Sequence, residues 1–235
     1  STERLLAQAV LNSRRRAVVS RDQLSMHGVI FLSGPPGTGK SSLARGLASK
    51  VGSIMKSEKP RLVEVDPHAL TSSAMGKTQR AVSQLFSQTI VEQAALGPTM
   101  VLLDEVETLA ADRTRLSLEA NPVDVHRATD AVLVQLDALA ERHTNILFIA
   151  TSNFPQAIDG AFTSRCDLVI EVPPPGPEAV EQILQLCLGS LAKRFPALGV
   201  IASSSEITKV AKASHGLDGR ALRKMVVNAM AMRRE

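Results

Sequence analysis

The chain has 235 residues, of which 44% are hydrophobic and 21% are charged, and its net charge is +4. This length predicts one large domain, or one large and one small domain, and the moderate glycine and proline contents exclude a fibrous or low-complexity chain. Two cysteines exclude a disulfide framework or a cysteine zinc site and favour the reducing cytoplasm, while no apolar run approaches the roughly 20 residues of a membrane helix.

The predicted elements alternate between short apolar strands and amphipathic helices. An N-terminal helix with a basic end and a linker occupy residues 1–23. Nearly continuous β-branched runs predict strands at residues 28–33, 61–65, 99–103, 145–150 and 167–172. Helical patterns lie between them at residues 40–51, 77–95 and 124–139. This alternation predicts an α/β fold with a five-stranded parallel sheet flanked by helices, its strands buried on both faces.

The alternation ends at residues 173–177, where four of five residues are proline. Proline continues neither a helix nor a strand, so this stretch is interpreted as a linker. The patterns beyond it predict helices at residues 178–194, 205–214 and 218–233, the last with Asp218 as its N-cap. The predicted domains are therefore the N-terminal segment 1–23, a large nucleotide-binding domain 24–173 and a small all-helical lid 174–235.

A glycine-rich loop joins the first strand to the first helix and matches the phosphate-binding pattern G-x-x-x-x-G-K-[ST]. The predicted nucleotide-binding residues are Gly34, Pro35, Pro36, Gly37, Thr38, Gly39, Lys40, Ser41 and Ser42. Glycines let the backbone N–H groups point at phosphate oxygens, and the helix N-terminus adds partial positive charge. Lys40 is predicted to bind the terminal phosphates of ATP, and Ser41 to supply an oxygen to Mg²⁺.

Polar side chains end two further strands. Asp104 and Glu105 follow the third strand, at the carboxyl edge where ligands bind in open α/β sheets. Asp104 is predicted to hold Mg²⁺ and Glu105 to polarise the attacking water, the alternative being an acidic pair that faces solvent. Asn153 follows the fourth strand, where it would either contact the water and the γ-phosphate or only form a turn.

Two arginines near strand or helix ends are further candidates. Arg165 precedes the fifth strand and is either a surface charge or a finger that stabilises phosphate, since a guanidinium stays charged and binds oxygens in pairs. If Arg165 is not such a finger, its expected structural partner is Asp167, the acid nearest to it in the sequence. Arg220 lies at the start of the last helix, where it is either solvated or reaches the γ-phosphate.

Together these motifs resemble those of an AAA+ ATPase. The segments GPPGTGKS, VLLDE, ATSN, AFTSR and GLDGR stand in the order and spacing of that family. Within it, the chain is most similar to the pachytene-checkpoint (thyroid-receptor-interactor) group, which remodels HORMA-domain proteins. The segments that carry this similarity are DEVETL, NPVDVHR with DAVL, DGAF and GLDGRALRK, together with the single arginine of RCD before the fifth strand. The resemblance covers the chain from about residue 24 onward.

The resemblance implies a homo-hexamer in which Arg165 acts on the nucleotide of a neighbouring subunit, with Asn153 as sensor one and Arg220 as sensor two. It implies ATP and Mg²⁺ as ligands, a HORMA-domain protein as the partner, and a pore loop formed here by Ala74, Met75 and Gly76. This loop lacks the aromatic residue that threading relatives present, and Met75 would either grip a peptide in its place or pack into the subunit. The family also carries an N-terminal recognition domain, which the short segment ahead of the core does not provide.

Two alternatives to a protein remodeller remain open from the sequence. One is a scaffold that assembles on ATP and releases on hydrolysis without threading, which the missing pore aromatic favours. The other is a DNA-acting module such as a helicase loader, allowed by the basic stretch Arg14–Arg16. The absence of Trp and Tyr argues against a stacking platform for nucleic acid, and no DNA-binding motif is present.

Overall fold

The computed structural model describes residues 5–7, 9–10, 26–55, 60–66, 70, 77–110 and 122–232. The chain divides into two compact units. The first comprises Ser1–Ser33 and Lys40–Glu171, and the second comprises Gly34–Gly39 and Val172–Glu235. The phosphate-loop motif therefore crosses the division, because its glycine turn belongs to the second unit whereas Lys40 and Ser41 belong to the first.

The first unit alternates strands and helices along the chain. Its strands are β1 (Val29–Ser33), β2 (Arg61–Val65), β3 (Thr99–Leu103), β4 (Ile146–Ser152) and β5 (Leu168–Glu171). Its helices are α1 (Lys40–Ile54), α2 (Lys77–Gln84), α3 (Val91–Ala95), α4 (Pro122–Arg142) and the short turn α5 (Gly160–Thr163). A π-helix (Leu85–Ile90) joins α2 to α3, so the uninterrupted helix expected over residues 77–95 widens in its middle.

The strands form one parallel sheet in the order β2-β3-β4-β1-β5. The central strands β1, β3 and β4 are fully buried, as their continuous apolar runs predict. The expectation of burial on both faces is wrong for β2 and β5, which contain exposed residues. Both are edge strands, so each has a neighbour on one side only. The predicted parallel five-stranded fold itself is confirmed.

Aromatic contacts and one carboxylate fix the sheet to its surroundings. Phe86 of the π-helix stacks on Phe148 of β4 with ring centroids 5.8 Å apart, and both belong to the main hydrophobic cluster. Asp167 accepts hydrogen bonds from the backbone N–H groups of residues 27–29 at 2.7–3.2 Å. This carboxylate therefore holds the start of β1 beside β5, and its structural role explains its place directly before the last strand.

The second unit is helical after residue 176 and contains α6 (Pro177–Ala192), α7 (Ala197–Ala202), α8 (Glu206–Ala213) and α9 (Gly219–Met232). The sequence patterns missed α7. A separate apolar cluster packs α6, α8 and α9 together, with members Val180, Leu184, Leu188, Ile207, Ala211, Leu222 and Val226. In the described part of the chain, no helix is long and apolar enough to cross a bilayer.

Candidate functional site

The ends of β3 and β4 bring the predicted metal-site residues together. Leu103 is level with Ala150 in the parallel register, so the next residues, Asp104 and Thr151, meet at the sheet edge. The Oδ1 atom of Asp104 accepts hydrogen bonds from the hydroxyls of Ser41 at 2.8 Å and Thr151 at 2.5 Å. Ser41 and Asp104 thus lie side by side, although 63 positions separate them in the chain.

Carboxylate and hydroxyl oxygens are hard donors of the kind that Mg²⁺ binds. Within the described residues, no group of three His, Cys, Asp or Glu side chains could hold a metal ion. Mg²⁺ in nucleotide sites is usually bound through one or two protein oxygens, with phosphate and water at its other positions. Ser41 and Asp104 therefore fit Mg²⁺ accompanied by nucleotide.

Glu105 has an unusual backbone conformation. Its φ of 55° and ψ of 52° are left-handed, and it is the one non-glycine residue with positive φ in the part of the chain that the structure describes. Such a conformation costs an L-residue about 1–2 kcal/mol. The N–H of Glu105 donates to Thr151 Oγ1 at 3.1 Å, and its Oε1 accepts from Asn153 Nδ2 at 3.2 Å. The strained turn thus directs this carboxylate toward Asn153.

Lys40 opens α1 and is only 5% exposed. Burial lowers the pKa of its ammonium group from the usual value, while attraction to the carboxylates of Glu107, Asp104 and Glu105 opposes that shift. The buried lysine therefore belongs to the same electrostatic environment as the acids at the end of β3.

A cleft opens beside these acids in the first unit. Its volume is about 230 Å³, and its lining includes Asp104, Glu105 and Asp66. Arg45 of α1 and Glu64 of β2 also line it and form a bidentate ion pair at 2.8–2.9 Å. This pair lowers the pKa of Glu64, so both side chains stay charged at the rim.

Two site residues were assigned no role from the sequence. Thr151 bridges Asp104 and Glu105, as described above. Glu107, in a 3-10 turn (Val106–Thr108), accepts the backbone N–H of Asn153 on its Oε1 atom at 3.1 Å. The available signals were a hydroxyl directly before the Ser152–Asn153 pair and a third acid in the segment DEVE. Neither pattern specifies a contact by itself.

The glycine turn of the phosphate loop contacts the start of α9 within the second unit. The backbone N–H of Gly219 donates to the carbonyl oxygen of Gly37 at 3.1 Å. Gly37 has φ +78°, and a Cβ at this position would lie 2.3 Å from Cγ of Asp218. A Cβ on Gly34 would lie 2.2 Å from the carbonyl oxygen of Val172. Both glycines are therefore required by close approach of neighbouring groups.

Asp218 caps α9, as the sequence predicted. Its Oδ1 atom accepts the backbone N–H groups of Arg220 at 2.7 Å and Ala221 at 2.9 Å. Arg220 itself is exposed. Its proposed role as sensor two stays a prediction, as do the phosphate contacts of the loop residues.

Arg165 is paired within its own subunit, and its partner is not the acid nearest in sequence. Its Nε and one terminal nitrogen donate to the two carboxylate oxygens of Asp137 at 2.9 and 2.7 Å. The other terminal nitrogen donates to the carbonyl oxygen of Ala161 at 2.7 Å. Asp167 was the expected structural alternative, but it is occupied by the backbone of β1. The Asp137 pair raises the pKa of Arg165.

Some predicted positions lie outside the described residues. These are the pore-loop residues Ala74, Met75 and Gly76 and the basic stretch Arg14–Arg16. Their roles stay predictions.

Comparisons with known proteins give a consistent set of relatives. The model of the ATPase family associated with various cellular activities (AAA) matches residues 30–174, more than half of the chain. CD-NTase-associated protein 6 of Pseudomonas aeruginosa is 65% identical over 229 residues, which cover 97% of this chain and 75% of the relative. The pachytene checkpoint protein 2 homolog of Xenopus tropicalis is 33% identical over 239 residues, covering 91% of this chain.

The chain spans about half the length of the latter relative, 54%. Among solved structures, PCH-2 of C. elegans matches 100% of this chain and 64% of its own, with a TM-score of 0.79 and 26% identity. A chain of the E. coli MS115-1 HORMA:CdnC:Trip13 complex has a TM-score of 0.67 at 16% identity. That match covers 97% of this chain and 86% of the other, and shows a shared fold.

Proposed function

The chain belongs to the AAA family of ATPases, and on that premise we propose that it hydrolyses Mg-ATP to remodel a HORMA-type protein partner. The observation that carries the catalytic part is the cluster at the sheet edge, where Ser41 binds Asp104 and Asn153 binds Glu105. A phosphate-loop serine beside an acid, and a second acid held by an amide, are the groups that ATP hydrolysis needs.

Each side chain of the cluster has its own role in the proposed reaction. Lys40 contributes a positive charge to the terminal phosphates of bound ATP. Ser41 and Asp104 would hold Mg²⁺, which supplies charge neutralisation for the phosphate oxygens when bound. Glu105 accepts a proton from the water that attacks the γ-phosphorus, the bond to the β-phosphate oxygen breaks, and ADP and phosphate leave. Asn153 orients the Glu105 carboxylate.

We propose that Arg165 serves the nucleotide of a neighbouring subunit in a hexamer, with Arg220 acting on the nucleotide of its own subunit. A guanidinium has five N–H donors, and the bonds to Asp137 and Ala161 use three of them. The remaining N–H donors of Arg165 can therefore bind a phosphate while the Asp137 pair stays intact. These roles rest on the resemblance in the AFTSR and GLDGR segments.

The partner class rests on the relatives. The motifs resemble those of the pachytene-checkpoint group, which remodels HORMA-domain proteins, and the 33% identity to the Xenopus tropicalis homolog supports that resemblance. Together they favour a HORMA-type partner over a DNA target. Remodelling and nucleotide-gated scaffolding separate in one assay, because only a remodeller unfolds or dissociates a tagged HORMA partner in an ATP-dependent manner.

Glu105→Gln tests the catalytic proposal. Glutamine keeps the shape but accepts no proton, so we expect unchanged ATP binding and turnover lowered on the order of 10²–10⁴-fold. The matched control is Glu141→Gln, the same chemical change at an exposed position at the end of α4. The Glu105 variant should also retain an ATP-bound complex with the partner. Hydrolysis at the control's rate would exclude Glu105 from this role.

A further inference from the structure

Glu107 is an acid of the site that the proposed reaction does not use. It lies in the turn directly after β3, and one of its two carboxylate oxygens accepts the backbone N–H of Asn153 at 3.1 Å. The two residues are 46 positions apart, so this bond ties the end of β3 to the end of β4.

The other oxygen of Glu107, Oε2, is buried and has no hydrogen-bond partner within the described residues. Burying a carboxylate oxygen without a partner costs free energy, and native structures contain few such atoms. The Lys40 ammonium attracts this carboxylate, so its charge is compensated although Oε2 lacks a hydrogen bond. An unsatisfied buried oxygen next to a specific contact calls for a functional explanation.

Asn153 links Glu107 to the proposed base. Its backbone N–H is held by Glu107, while its side-chain Nδ2 donates to Glu105 Oε1 at 3.2 Å. We propose that Glu107 is a positioning residue that fixes the Asn153 backbone so that its amide holds the Glu105 carboxylate in place. This inference rests on the proposed function, in which Glu105 accepts the proton of the attacking water.

If Glu107 positions Asn153, the length of its side chain matters more than its charge. A matched pair of variants separates these two properties. Glu107→Gln keeps an oxygen at the same distance but removes the charge. Glu107→Asp keeps the charge but withdraws the oxygen by one methylene. We expect the Asp variant to lose about 10–100-fold in kcat, because small misplacements of catalytic groups are costly, and the Gln variant to lose less than the Asp variant.

The affinity for ATP should change by less than about threefold in Glu107→Asp, because this variant keeps the negative charge that faces Lys40 and alters only the geometry of the base. Combining Glu107→Asp with Asn153→Ala should give no lower kcat than Asn153→Ala alone, because both act through one amide. An active Asp variant with an inactive Gln variant would overturn the proposal, and so would losses that multiply in the double variant.

Hydrogen exchange separates this inference from the proposed function. The Asn153 backbone amide should exchange faster in Glu107→Asp than in Glu107→Gln or the unmodified chain, whether or not ATP is hydrolysed. Equal exchange in all three, with normal turnover of the unmodified protein, overturns the positioning role alone. Absent turnover, or full turnover in Glu105→Gln, overturns the proposed function while the exchange difference stands.

Discussion

Replacing Gly37 by alanine tests the contact between the phosphate loop and the start of α9. An L-residue at φ +78° costs about 1–2 kcal/mol. The new Cβ would also lie 2.3 Å from Cγ of Asp218, whose carboxylate is already held by two backbone N–H groups. Moving that carboxylate weakens the helix cap, at about 1 kcal/mol. The free energy of unfolding should fall by about 2–3 kcal/mol in total.

Gly46→Ala is the matched control. Gly46 lies inside α1, and no atom beyond its chain neighbours and the backbone of its own helix lies within 4 Å of the position its Cβ would take. Alanine there should stabilise the helix by up to about 1 kcal/mol. The melting temperature of Gly37→Ala should therefore lie about 4–12 °C below that of the unmodified protein, and that of Gly46→Ala slightly above it. A titration with fluorescent ATP should show weaker binding for Gly37→Ala only, because its loop N–H groups are displaced.

The Asp218 contact can be isolated with a double variant. Asp218→Ala alone loses the cap, but it also makes room for a Cβ at position 37. Gly37→Ala with Asp218→Ala should therefore be less destabilised than the sum of the single variants by about 1 kcal/mol. If Gly37→Ala unfolds and binds ATP like the unmodified chain, the close approach has been misjudged and the reasoning fails.

Three further predictions concern other parts of the molecule. A double-mutant cycle on Arg165→Ala and Asp137→Ala in urea should give a coupling of about 1 kcal/mol, and additive losses would contradict the ion pair. Burial raises the pKa of Cys166 to about 12, so in a Cys187→Ser variant at pH 8 only about one thiol in 10⁴ is ionised. Maleimide should then label it slowly until urea is added, and rapid native labelling would refute the shift. Glu105→Asn should unfold at higher urea than Glu105→Gln, because asparagine tolerates the left-handed conformation better than glutamine does; equal midpoints would argue against strain there.

The sequence predicted those features that depend on residues close together along the chain. The phosphate-loop pattern, the acids after β3 and the Asp218 cap depend on neighbouring residues and on strand or helix ends, so their spacing was sufficient to predict them. The central strands were equally clear, because burial on both faces requires a continuous apolar run. The edge position of β2 and β5 could not be predicted, because strand order depends on how distant segments pair.

The tertiary structure alone decided the partners of charged and polar side chains. Arg165 binds Asp137, 28 positions away, while the nearer Asp167 is used by the start of β1. Glu107 binds Asn153 across two strand ends. Such contacts join segments brought together by sheet register and helix packing, and the spacing of residues along the chain does not specify them. The sequence by itself thus determined the fold and the chemical groups of the site. The packing of distant segments determined which of these groups form hydrogen bonds or ion pairs with one another.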